Sequence, residues 1–212
     1  FGFHGAKASP ADLTWPTVDR NLQVYLIRDK KNSKNAKFVL QNLDKSIYLT
    51  SSLIPEIYNN QRWNVAVSIR PEKYELIGNV VTSSNPNYIV EFQGVSHIFQ
   101  DMYTNFTITA SIDYTSGSQY MSNAKRFYVG SHRTNFSGLV RDQTDIQFGS
   151  FRYYEDYLNQ EAIKQHNLDP TNYGLVNNCR PPTTFAYQIN KAIPSNDTIA
   201  LSWNFNILTG SD

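Results

Sequence analysis

RWNVAVSIR, residues Arg62 to Arg70, is the stretch on which the fold reading turns. Trp63, Val65, Val67 and Ile69 alternate with Asn64, Ala66, Ser68 and Arg70. A period of two marks a β-strand with one face turned to a core. Pro71 follows at once and ends the strand, because proline has no N–H to give to a ladder. Working outward, NLQVYLIR (Asn21 to Arg28) sets Leu22, Val24 and Leu26 against Gln23, Tyr25 and Ile27, so both of its sides are expected to be partly covered. Lys37 to Leu43, Ser46 to Thr50, Tyr88 to Gln93, Phe106 to Tyr114, Lys125 to Gly130 and Asp145 to Arg152 continue the series. Turn-rich stretches at Thr82 to Asn87 and Thr115 to Gln119 separate them. Many short strands at such spacing predict an all-β, two-sheet antiparallel sandwich or barrel.

Composition agrees. The 212 residues are 40% hydrophobic, 14% aromatic and only 17% charged, which excludes both a disordered chain and a long-helix protein. A net charge of +1 carries no commitment to nucleic acid or to an anionic membrane. The basic run Arg28 to Lys37 is punctuated by Asn, Ser and Asp and reads as a solvated hairpin loop. Cys179 is the single cysteine, so neither an internal disulfide nor a cysteine-rich metal site is expected. No apolar stretch approaches the length of a bilayer span. Phe1 in place of Met reads as the start of a processed or engineered product, or of a piece of something longer. One segment breaks the strand rhythm. Over about 154–166, Tyr154, Tyr157, Leu158, Ala162 and Ile163 fall near helical spacing, with Asn159 as N-cap, predicting one short surface helix.

These residues together resemble a known family. Arg62-Trp63-Asn64-Val65-Ala66-Val67 is similar to the "W-x-h-V-A-V" strand of laminin G-like modules. Phe127-Tyr128-Val129-Gly130 and Phe136-Ser137-Gly138 resemble the family's next pair of strands. Asp145-Ile146 with Phe151-Arg152-Tyr153-Tyr154, and Tyr157 to Ile163, resemble its closing strand and short helix. The resemblance implies a concanavalin A-like jelly roll over 1–178, with its N-terminal strand missing, and a Pro-containing linker at 179–198. Residues 199–212, with Leu201-Ser202-Trp203-Asn204-Phe205, would then start a following module or supply a closing strand. Its style is similar to modules of very large phage or viral structural proteins. The implied role is non-catalytic: a structural or adhesive module of a larger extracellular or virion assembly, partnered by other subunits or tandem modules. Alternatives are a carbohydrate-binding lectin-like module and a polysaccharide-cleaving enzyme. One departure bears on ligands: Gln93-Gly94 stands where the family has Asp-Gly, which weakens a calcium or sugar role at that corner.

Chemistry-bearing residues are sparse. A glycan-cleaving pair needs two carboxylates held about 5–5.5 Å apart. Glu91, Asp113 and Asp145 each stand alone on their strands, and Glu155-Asp156 point apart on the expected helix. No catalytic residue is assigned. His4, His97, His132 and His166 show no metal-ligand spacing, and Asp101, Asp113 and Asp142 form no calcium-loop run, so no metal or cofactor is assigned. Tyr103, Tyr114, Tyr120, His132 and Arg133 are the candidates for ligand contact, Tyr128 being a further ring that could stack on sugar.

Overall fold

The computed structural model describes residues 1–6, 20–72, 86–98, 101–132, 142–143, 147–169 and 199–205. The chain is mostly β, with antiparallel sheets and, among the described residues, two short helices. It groups into two compact units. The first holds Phe1–Asn60, Val67–Gln93 and Phe106–Asp145; the second holds Gln61–Ala66, Gly94–Asn105 and Ile146–Asp212.

In the first unit, β1 (Gly2–Ala6), β2 (Asn21–Arg28), β3 (Ala36–Gln41), β4 (Tyr48–Thr50) and β8 (Ala124–Tyr128) form a sheet in the order β4-β3-β2-β1-β8. The register pairs Phe3 with Leu22 and Phe127, and Val24 with Leu40. Paired residues share a face, so Phe3, Leu22, Val24, Phe38, Leu40 and Phe127 make one apolar layer. A second sheet, in the order β5-β6-β7, is built from β5 (Trp63–Pro71), β6 (Tyr88–Ile98) and β7 (Asp101–Ile112). The portions of these strands within the first unit pack on that layer through aromatic rings. Phe106 lies 5.5 Å from Phe38 and 5.0 Å from Phe92. This is the interior of a β-sandwich. The other face of the five-stranded sheet is also withdrawn from water, since His4, Asn21, Gln23 and Val39 are all buried. Asn21 Oδ1 satisfies two donors there, the Gln23 amide at 2.9 Å and Leu43 N at 2.8 Å.

Helix α1 (Tyr114–Ser122) falls on a stretch whose composition reads as a turn. Asp113 caps it, accepting from Ser116 N at 2.9 Å, and hydrogen bonds from the Ser116 side chain and backbone hold that carboxyl below its usual range. The sequence YTSGSQYMS is poor in helix formers, so tertiary contacts stabilise it. Tyr120 is buried edge-on to Phe3, and Gly117 lies directly against the Tyr88 ring. A Cβ at Gly117 would overlap Tyr88 Cβ, Cγ and Cδ2, the inflexible root of that side chain. Gly117→Ala would gain about 1 kcal/mol of helix propensity. Overpacking costs about 1–3 kcal/mol or more, and here the ring cannot swing aside. A net loss of stability is expected in urea denaturation; a gain would show that α1 does not bear on Tyr88.

In the second unit, the expected helix at about 154–166 is displaced. Tyr154 ends β11 (Ser150–Tyr154), and the helix, α2, runs Gln160–Leu168. Asn159 is its N-cap, accepting from Ala162 N at 2.9 Å. The residues Glu155 and Asp156 lie in the bend before the helix. Leu158, Ala162 and Ile163 bury against Val95, with Ala66 and Tyr154 at the margin. β11 pairs with β12 (Ile199–Asn204), so Phe151 faces Trp203 at 5.7 Å and residues 199–204 pair within this chain. In the first unit, two short strands, β9 (Ser131–His132) and β10 (Asp142–Gln143), pair with each other. Cys179 and the expected linker 179–198 lie outside the described residues.

The burial expected of β5 differs from what is found. Trp63, Val65, Val67 and Ile69 were expected inside and their neighbours outside, yet every residue of β5 is half-buried. The strand is the last in its sheet's described order, and Asn64 and Ala66 are themselves drawn under α2 in the second unit.

Candidate functional site

Alternation fixes two faces on the three-stranded sheet. Phe92 and Phe106 share the apolar face. On the other, within the first unit, stand Ser68 and Arg70 of β5, Glu91 and Gln93 of β6, and Thr107, Thr109 and Ser111 of β7. Glu91 and Gln93 are buried, at 7% and 3% exposure. One Glu91 oxygen accepts from the Gln93 amide at 2.8 Å, and the other lies 3.9 Å from Arg70 Nη2. A buried carboxylate needs such compensation, because desolvation without it costs several kcal/mol. Ser68 Oγ is buried and has no hydrogen-bond partner among the described residues. Beside this group the side chains of Thr107, Thr109 and Ser111 are exposed, a row of hydroxyls about 7 Å apart.

Such a face can give and accept hydrogen bonds over an extended area. Both Glu91 oxygens are engaged. On the three strands, Asp101 is the other carboxylate, and it stands at the far end of β7 from Ser111.

Comparison with protein-family models, with curated proteins and with solved structures finds no match. The geometry is therefore what bears on function. Of the five residues expected to touch a ligand, Tyr103, Tyr114 and Tyr120 have described side chains. Tyr103 is exposed on β7, in the second unit. Tyr114, also exposed, opens α1 in the first, with its ring 6.1 Å from Tyr88. Tyr120 is 2% exposed, its hydroxyl donates to Asn21 O at 3.2 Å, and burial pushes that hydroxyl up to about 12. It packs the core and is withdrawn from any solvent-borne ligand. The backbone of His132 lies in β9, and Arg133 is outside the described residues. Of the calcium candidates, Asp113 is occupied as a helix cap, Asp101 is an exposed strand start, and Asp142 lies in β10. Among the described residues no three His, Cys, Asp or Glu side chains gather as a metal would need, and no helix is long and apolar enough to cross a membrane.

Sequence reasoning passed over Ser68 and Arg70, and met Gln93 only as a departure from the family's Asp-Gly corner. The available signal was Glu91-x-Gln93, two polar residues on one face of an otherwise apolar strand, opposite the polar positions of RWNVAVSIR.

The second unit has its own polar cluster, which seats α2. Asn167 is buried; its amide donates to Val95 O at 3.1 Å and Arg62 O at 3.4 Å, and its Oδ1 meets His97 Nδ1 at 2.6 Å. Arg62 donates to the last helical carbonyls, those of Asn167 and Leu168. Asn64 Nδ2 donates to Ile163 O at 2.9 Å. Arg62 and the strand side chain of His97 thus hold the last turn of the helix, and Asn64 of β5 holds a carbonyl nearer its start. His166 stacks on Tyr154 with ring centroids 6.0 Å apart, and burial, then the Arg152 charge, pushes its pKa down to about 4.

Proposed function

We propose that the chain is a non-catalytic structural and adhesive module of a larger extracellular or virion assembly, built as a laminin G-like jelly roll. The polar face of the three-stranded sheet supports this most. It offers an exposed row of hydrogen-bonding groups beside a carboxylate already engaged at both oxygens. That arrangement holds a partner surface without setting an acid and a base on it. Neighbouring subunits or tandem modules of the same assembly are the partners in this reading.

The same hydroxyl row favours a second reading, a lectin-like module for glycans. Thr107, Thr109 and Ser111 can each donate and accept, as sugar hydroxyls require. A glycan array read alongside a reducing-end assay tests both readings. Under the lectin reading, glycan is retained without new reducing ends, and the double variant Thr109→Val, Ser111→Ala binds roughly tenfold more weakly through two lost hydrogen bonds. A silent array removes the lectin reading and leaves adhesion between protein modules. Newly formed reducing ends would overturn the non-catalytic role.

A further inference from the structure

We infer that helix α2 is an acid-released element of the second unit, with His166 as its trigger. The inference stands on how the helix is seated. Beneath it the buried apolar surface is small: Leu158, Ala162 and Ile163 against Val95. The remainder of the seat is the polar cluster of Arg62, Asn64, His97 and Asn167. His166 lies in the last turn with its ring nearly parallel to Tyr154, the planes 21° apart. Its Nε2 is buried and has no hydrogen-bond partner among the described residues. A neutral imidazole fits this seat as a flat, weakly polar plate. A protonated one needs an acceptor for each N–H.

The charged and titratable groups around it come from every element of the seat. β11 supplies Tyr154 and the like charge of Arg152; the helix C-cap supplies Asp169, which opposes Arg152. On α2 itself Glu161 and Lys164 pair with each other at 2.8 Å. Just before β5, Arg62 is turned to helix carbonyls, and from β6, His97 is turned to Asn167. Burial and Arg152 outweigh Asp169, so the docked helix prefers the neutral ring.

The direction follows from linkage. Docked His166 titrates near 4 against 6.5 for a free histidine. Between those values the undocked segment binds more protons, so docking is fully favoured above about pH 6.5 and is lost as pH falls toward 4. A nine-residue helix does not persist alone, so the released segment unwinds and opens its amides.

Hydrogen exchange on the whole chain, corrected for intrinsic rates, tests this at Ile163 N and Asp169 N. Between pH 7.5 and 5.0 the opening of α2 should rise roughly ten- to thirtyfold, while amides of β2 and β3 stay protected. His166→Phe keeps the stack on Tyr154 and should flatten the dependence; His166→Gln, which needs no ring packing to fold, should do the same. His97→Gln should retain it. Two results would overturn the inference: an unchanged pH dependence in both His166 variants, or parallel opening of β2 and β3.

Discussion

Phe92→Ala is expected to destabilise the chain by about 3–5 kcal/mol, the largest effect of any single truncation proposed. The ring is wholly buried and makes an edge contact with Phe106 at 5.0 Å, which in turn meets Phe38 at 5.5 Å. Removing it takes away the transfer free energy of the ring and an aromatic pair worth about 0.5–1.5 kcal/mol, and leaves a cavity between two sheets that are each tied by their own ladders. Urea denaturation would read this as a fall in midpoint with an unchanged slope. Phe92→Leu should lose much less, since most of the volume stays. A loss below about 1 kcal/mol in Phe92→Ala would mean that the two sheets of the first unit do not share this aromatic contact.

Asn167→Ala should cost about 2–4 kcal/mol in the second unit, for a different reason. The amide is 2% exposed and serves Val95 O, Arg62 O and His97 Nδ1. Truncation leaves those groups without that partner in a buried site, and a polar group stripped of its partner costs more than the average hydrogen bond contributes. Residues 160–168 should become the first protease-sensitive stretch. Asn167→Asp separates hydrogen bonding from size: it keeps an acceptor for His97 but loses the donor to Val95 O, so it should recover only part of the loss. If Asn167→Ala melts like the parent, the helix is held by its apolar face alone.

The strands were legible where one property alternates along a local stretch. β2 occupies Asn21–Arg28, the whole of NLQVYLIR, because Leu22, Val24 and Leu26 need only a sheet to lie on. The N-cap Asn159 was legible for the same reason: a cap is decided within four residues. Helix α1 was not, because Gly117, Ser116 and Ser118 argue against a helix and the contacts that override them, Phe3 to Tyr120 and Tyr88 to Gly117, are distant in sequence. The first part of β7, Asp101 to Asn105, carries no apolar alternation and gains its strand character from pairing with β6. The polar face lay furthest from view. Arg70 finds Glu91 only through a pairing between strands, and no local spacing announces it.

One pairing shapes the order in which the molecule can be made. β1 lies between β2 and β8, so Phe3 waits for Phe127 while β2, β3 and β4 have near neighbours in the chain. At a synthesis rate of about 5–20 residues per second, the open flank of β1 stays bare for roughly ten seconds after β2 has joined it. During translation that bare flank is where a second nascent copy, or a chaperone, would find purchase. Ribosome-stalled chains should therefore become resistant to such capture once residues 124–128 have cleared the exit tunnel.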